Sequence, residues 1–324
     1  MCSQRVFGAR QLNRDQASLV AIGNFDGVHR GHQAVLSQAV RLAQESGLVP
    51  RVLTFDPHPA LVLGRGGLPA LTNLPRKLEL LCRQSNELEV VVEPFTLELS
   101  KTEPADFTRR LLVDAMNAKL VLVGENFRFG RGRAGDFAKL LELGAEQGFR
   151  AHATALECDA EGPISSTRVR VALEAGDLDA VTSLLGRPHS LSGVVVPGQG
   201  RGRTIGVPTA NLSAFTEALP PHGVYAVLVD VKRDGEFAAL APGVANFGVR
   251  PTLGAGPSFE AHLFDTSLDL YGQELRVHLL GRLREERKFS GIDELVAQIS
   301  RDIEAARALS RGRLPDPSAR GAWY

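Results

Sequence analysis

The sequence predicts an α/β domain on a parallel sheet, followed by a smaller antiparallel β unit that ends in a helix. Three observations carry this. Over residues 1–185, apolar runs of strand length alternate with stretches of helical period, the pattern of βα units. From residue 186 on, the apolar runs continue with only Gly, Pro and Asp turns between them, as in an antiparallel barrel or sandwich. A chain of 324 residues also has the length of two domains. The boundary is expected near Gly186, giving units 1–185 and 186–324.

Each element has its own signal. SLVAIG reads as the first strand. HQAVLSQAVRLAQESG is a helix with Val35, Leu36, Ala39, Val40 and Ala43 on one face, and Gly47 ends it. RVLTF, LEVVVEPF, KLVLVG and RAHATAL are the next strands, separated by the helices PRKLELLCRQS, ADFTRRLLVDAM and GDFAKLLELGAEQG. STRVRVALEAG and DLDAVTSLL form two short helices before the boundary. Beyond it LSGVVV, GVYAVLVDVK, FAALAPGVANF, SFEAHLFD and ELRVHLLGRL are strands. A last helix carries Ile292, Leu295, Val296, Ile299 and Ile303 at helical spacing.

Composition excludes several function classes. Hydrophobic residues make up 44% and charged residues 23%, as in ordinary soluble domains. A formal net charge of zero argues against a nucleic-acid binder or a protein of anionic membranes. Cys2, Cys82 and Cys158 are widely spaced and odd in number. That argues against a disulfide framework or a cysteine-rich zinc site and leads us to expect a reducing, cytoplasmic setting. The first residues hold no apolar signal core, and no apolar run approaches the ~20 residues that span a bilayer.

The chemistry-bearing stretches fall at strand-to-helix turns, where open parallel sheets bind ligands. GNFDGVHRGH (Gly23–His32) follows the first strand. His29 lies in the turn and His32 in the first helical turn. Backbone N–H groups and the helix dipole make that end an anion site, and Gly23, Gly27 and Gly31 let backbone approach a ligand. Metal binding, acid–base work and phosphate binding are all open to these imidazoles. The spacing is not HExxH, although Asp26 and His58 could be recruited to zinc. ISSTRVR (Ile164–Arg170) sets Ser165, Ser166 and Thr167 before Arg168 at a helix start; this suits a phosphate chain or an N-cap. GQGRGRTIGVPTANL (Gly198–Leu212) is neither a P-loop nor a Rossmann GxGxxG, and by itself reads as a loop between strands.

Taken together, these stretches carry a resemblance. HxGH and ISSTxxR resemble the nucleotidyltransferase superfamily. TFDPHP and VGENFRFGRGRAGD between them narrow it to the FMN adenylyltransferase module of the bacterial bifunctional riboflavin kinase/FAD synthetases, over about residues 18–183. PTAN, NFGVRPTLG, FEAHLFDTSLDLYG, REERKF and the final helix follow the order of the riboflavin kinase module of the same enzymes, over about 188–309. The resemblance implies a Rossmann-like nucleotidyltransferase domain and a small antiparallel barrel with a C-terminal helix. Val207 stands where the family usually has Phe, and Phe247 where Ile is common. Residues 309–324, which hold the only tryptophan, match nothing in the family and are expected to form a disordered tail.

The resemblance also implies the chemistry: riboflavin and ATP give FMN in the second domain, and FMN and ATP give FAD and pyrophosphate in the first. Glu260 matches the kinase's catalytic base, and Thr209 and Asn211 its Mg²⁺ ligands; in an extended segment residues two apart share a side, as do Glu260 and His262. The FMN phosphate, with a second pKa near ~6, needs no such base. His29, His32 and Arg168 are then stabilisers of phosphate charge. Gly23, Phe25, Asp26, Gly31, Asn126, Ser165, Ser166 and Thr167 are expected around ATP in the first domain, and Gly202, Arg203, Gly206, Pro208 and Thr209 in the second. Asp56, Pro57, Phe129, Arg250 and Glu260 are expected at the flavin. A monomer or weak transient self-assembly is expected, with no nucleic-acid or membrane partner.

Overall fold

In a computed structural model, residues 4–12, 14–64, 69–198, 202, 206–213, 215–249, 257–316 and 321–324 are described. The chain forms two compact units, Met1–Ser166 and Thr167–Tyr324.

The first unit holds β1 (Gln4–Phe7), β2 (Ser18–Ile22), α1 (Arg30–Ser46), β3 (Val49–Asp56), α2 (Pro59–Val62), α3 (Leu74–Cys82) and β4 (Glu89–Pro94). It continues with α4 (Leu97–Ser100), α5 (Pro104–Phe107), β5 (Ala118–Gly124), α6 (Phe137–Gln147), β6 (Arg150–Thr154) and the small hairpin β7 (Cys158–Asp159) and β8 (Gly162–Pro163). α5 runs into a π-wound stretch, Thr108–Ala115. The main sheet is wholly parallel, ordered β1-β4-β3-β2-β5-β6. Both of its faces are covered. Val20, Ile22, Leu53, Phe55, Val121 and Val123 enter one core, and Leu19, Ala21, Val52, Val90, Leu120 and Leu122 the other. This explains why β2 is buried along its whole length. The direction of winding reverses between β2 and β5, so the crevice of the fold opens at their carboxyl ends. The turns holding His29 and Asn126 begin there.

The second unit opens with α7 (Ser166–Ala175) and α8 (Leu178–Leu185), counting the first residue of α7 with the unit before. Then come β9 (His189–Val196), β10 (Ala210–Leu212), β11 (Gly223–Arg233), β12 (Glu236–Val249), β13 (Pro257–Leu263), β14 (Glu274–Arg284) and α9 (Ile292–Ser310). The six strands close an antiparallel barrel in the order β10-β13-β12-β11-β14-β9. Compactness divides the chain earlier than the expected Gly186. The reason is that α8 buries Leu178, Val181, Leu184 and Leu185 and packs on β9 and β14.

One expectation is corrected. The chain end is not a loose tail: α9 extends to Ser310, and residues 321–324 dock on the barrel. The Trp323 backbone N–H donates to Asp230 at 2.9 Å, its indole N–H to the Val229 carbonyl at 3.1 Å, and the Ala239 N–H to the Gly321 carbonyl at 2.7 Å. Trp323 and Tyr324 cover a cluster that includes Leu228, Val244 and Leu280. Cys158 is free and exposed.

Because Trp323 joins two hydrogen bonds to partial apolar burial, Trp323→Ala is expected to destabilise the second unit by about 2 kcal/mol. Denaturant unfolding followed by circular dichroism checks this; an unchanged midpoint would mean that the docked chain end adds nothing.

Candidate active sites

The turn after β2 is tightly wound. Phe25 and Val28 have φ of 49° and 40°, and Gly27 has 81°. Positive φ at a β-branched residue is costly, and such strain gathers where a site needs a fixed backbone. His29 ends the turn as the N-cap of α1, its Nδ1 accepting the His32 N–H at 3.3 Å. A neutral imidazole that accepts at Nδ1 carries its proton on Nε2, which makes His29 a hydrogen-bond donor at Nε2. The rings of His29 and His32 stack at 3.6 Å, and Phe25 meets His32 edge-on at 5.2 Å. Gly31 is needed for closeness: a Cβ there would lie 3.1 Å from the His29 ring and 3.1 Å from the Ile164 carbonyl.

The other first-unit residues are placed as follows. Ser166 donates its hydroxyl to the Asp26 carbonyl at 2.9 Å, which brings the ISST stretch to the turn. Ser165 is half-buried beside it; Thr167 and Arg168 stand in the first turn of α7, in the second compact unit. Gly23 sits against the Phe25 ring. Asn126 is exposed in the turn after β5. Asp56 and Pro57, at the end of β3, are joined by a cis peptide bond, and the Asp56 carbonyl accepts the Phe95 N–H at 3.0 Å.

Two of these residues make protein contacts that the sequence does not show. The Asp26 carboxylate, expected at ATP, is turned to protein backbone: it accepts the N–H groups of Leu71 and Thr72 at 2.9 and 3.4 Å and ties that loop to the turn. Phe129, expected at the flavin, is buried in the core against Phe107, its ring filling the space where Gly135 has no side chain. Phe127, half-buried and stacked on Phe129 at 5.5 Å, is the aromatic of that loop with accessible surface.

One residue was missed by sequence reasoning. Lys77, on α3, is buried, and its ammonium donates to the Phe55 carbonyl at 3.0 Å and the Asn24 carbonyl at 3.5 Å. It bridges the chain as it leaves β2 and β3. Burial lowers its pKa from the usual 10.5, partly offset by Asp56 and Asp26. A lysine in an amphipathic helix ordinarily reads as solvated; only its place on the apolar side of PRKLELLC hinted otherwise. His58, a possible zinc partner, instead caps α2 by accepting the Ala60 N–H. Among the described residues no three His, Cys, Asp or Glu side chains gather to hold a metal ion.

On the barrel, strand register assembles the second site. β10 and β13 pair so that Asn211 stands directly opposite Glu260, and β12 places Asn246 on the other side of Glu260. Phe259 and Ala261, between these polar residues, are buried. The Ser258 hydroxyl donates to the Glu260 carboxylate at 3.3 Å, and Asn246 to Glu286 at 3.3 Å. The amide of Asn211 lies against bare backbone, since a Cβ on Gly198 would come within 2.1 Å of its nitrogen. A cleft of about 460 Å³, in the usual range for small-molecule sites, is lined by Pro208, Thr209, Ala210, Thr266, Asp269 and Tyr271 among others. Gly202 accepts the Val207 N–H through its carbonyl, and Gly206 has a φ of 76° that favours glycine. Phe247 packs edge-on to His222 at 5.0 Å and beside Phe259 at 6.1 Å, so this departure from the family is a matter of packing. Arg203 and Arg250 lie outside the described residues.

Two family models match parts of the chain. An FAD synthetase family model matches residues 11–168, and a riboflavin kinase model matches 185–310. The chain is 41% identical over 294 residues to the bifunctional riboflavin kinase/FMN adenylyltransferase of Escherichia coli K12, covering 90% of this chain and 92% of that one. It is 40% identical over 311 residues to the enzyme of the same name from Pseudomonas fluorescens, with 95% and 98% covered. The chain belongs to the bifunctional riboflavin kinase/FMN adenylyltransferase family. A crystal structure of a Streptococcus pneumoniae protein named macrolide-efflux protein superposes with a TM-score of 0.82 at 30% identity, over 94% of this chain and 98% of that one. Among the described residues no helix is long and apolar enough to cross a membrane.

The buried lysine sets a pH dependence. A Lys whose pKa is lower folded than unfolded binds fewer protons folded, so stability rises with pH up to the unfolded value. Relative to Lys77→Met, the parent protein is expected to gain stability as pH climbs toward 10.5. Urea midpoints across the alkaline range check the sign; a flat difference would mean that Lys77 is not strained by burial.

Proposed function

We propose that the two units catalyse successive steps on one flavin. At the barrel, riboflavin takes the γ-phosphoryl group of ATP to give FMN and ADP. In the α/β unit, FMN takes the adenylyl group of a second ATP to give FAD and pyrophosphate. The observation that carries the kinase half is the pairing of Asn211 with Glu260 across β10 and β13.

A ribityl hydroxyl is a weak nucleophile at neutral pH, and Glu260 is the group that accepts its proton as the oxygen attacks. The Ser258 hydroxyl, donating to the same carboxylate, holds it in place. Thr209 and Asn211 offer hard oxygen donors beside the cleft, the donor type that Mg²⁺ takes, and the Gly198 notch fits the Asn211 amide. When bound there, the ion supplies charge neutralisation on the ATP phosphates. The flavin is expected beside Glu260.

The adenylyl step asks for less. An FMN phosphate oxygen attacks the α-phosphorus of ATP, and pyrophosphate leaves. The Nε2–H of His29, His32 and the N–H groups at the start of α1 face growing negative charge with donors and a helix dipole. Ser165, Ser166 and Asn126 complete the cradle. Asp26 and Lys77 hold the loops that form it, through Leu71, Thr72, Phe55 and Asn24.

His29→Ala combined with His32→Ala is expected to abolish FAD formation and leave FMN formation near the parent rate. Chromatography of products from riboflavin, ATP and Mg²⁺ decides; equal loss of both activities in a folded protein would contradict separate sites.

Glu260→Gln is expected to slow FMN formation by ~10²–10⁴-fold, the usual contribution of a positioned base. FAD synthesis from supplied FMN should be unchanged. Thr209→Ala or Asn211→Ala should instead raise the ATP and Mg²⁺ needed by the kinase step. A Glu260→Gln protein working at the parent rate would remove Glu260 from the role of base.

A further inference from the structure

β10 is only three residues long, and its last pair with β13 is Ala210 with Ala261. Thr209 therefore lies just past the end of the ladder. The next carbonyl back, that of Pro208, accepts no backbone N–H from β13 but is bonded by the side chain of His262, whose Nδ1 lies 2.8 Å away. Proline has no N–H and can anchor here only through its carbonyl. A carbonyl only accepts, so the Nδ1 of His262 must carry the proton.

His262 is itself well held. Its backbone pairs with Val244 of β12. Its ring meets Phe264 edge-on at 5.9 Å, and Phe264 is covered by Arg307 of α9, 4.4 Å from the ring centre. Arg307 in turn forms two hydrogen bonds to Asp265 at 2.9 Å each.

We propose that His262 is a positioning residue of the kinase site: its Nδ1–H, bonded to the Pro208 carbonyl, extends the β10–β13 ladder by one side-chain step and fixes the backbone that presents Thr209. The proposal rests on the reading of Thr209 as an ATP and Mg²⁺ ligand. It assigns His262 no proton transfer, although His262 shares a strand face with Glu260. The ladder holds Thr209 from its C-terminal side and His262 from its N-terminal side. Losing the second hold should loosen ATP and the metal and leave riboflavin binding alone.

Three substitutions in the full chain separate the possibilities. The amide nitrogen of asparagine is as many bonds from Cα as Nδ1 of histidine, whereas that of glutamine is one bond further. His262→Ala and His262→Gln are expected to raise the KM for ATP and the half-saturating Mg²⁺ concentration of FMN formation by roughly 3–10-fold, the scale of one net hydrogen bond. Riboflavin KM and the shape of the pH–rate profile should not change. His262→Asn should restore both constants to within about twofold of the parent. General loosening of the barrel would strike Asn and Gln alike, so equal defects in those two overturn the proposal. Loss of a limb of the pH profile in all three would make His262 a proton-transfer group and also overturn it. Parent-like constants in His262→Ala, in a protein that phosphorylates riboflavin, would show that the bond positions nothing. A parent protein that forms no FMN would instead refute the kinase reading beneath it.

Discussion

The kinase site hangs on the pairing of β10 with β13. Those three residue pairs close the barrel, and they set Asn211 beside Glu260. Because side chains alternate along a strand, a slip of β10 by one residue would turn Asn211 away from Glu260 and bring Leu212 out. The burial of Leu212 resists that slip. Register is thus held by the hydrophobic core, and the polar row follows from it.

The α/β unit solves a different problem. A parallel strand must hand the chain to a covering helix, and the turn between β2 and α1 does so through residues with positive φ. That strain is countered from outside the turn. Asp26 holds the loop at Leu71 and Thr72, Lys77 holds the carbonyls of Asn24 and Phe55, and Ser166 holds the carbonyl of Asp26. Asp26, Lys77 and Ser166 thus hold backbone. The resulting turn presents His29 as both helix cap and donor.

The two reactions differ in the help they need. A hydroxyl nucleophile calls for a base and a metal. A phosphate nucleophile arrives ionised and calls for charge stabilisation alone. The chain needs both units because the product of one chemistry is the nucleophile of the other.

The sequence by itself determined the alternation of strands and helices, the change to an all-β second half and the turns that carry chemistry, because hydrophobic period and turn residues are local signals. β1 and β10 were not legible: β1 is a short edge strand, and β10 is three residues in a stretch that reads as a loop. Nor was the fate of single side chains. Phe129, among Gly and Arg residues, packs with Phe107; the Asp26 carboxylate accepts backbone N–H groups; Lys77, in an amphipathic helix, is buried. Residues 321–324 resembled a loose end and dock on β11 and β12. Only the tertiary structure decided these, because each depends on contacts between residues far apart in the chain, where packing and the pairing of buried polar groups override local preference.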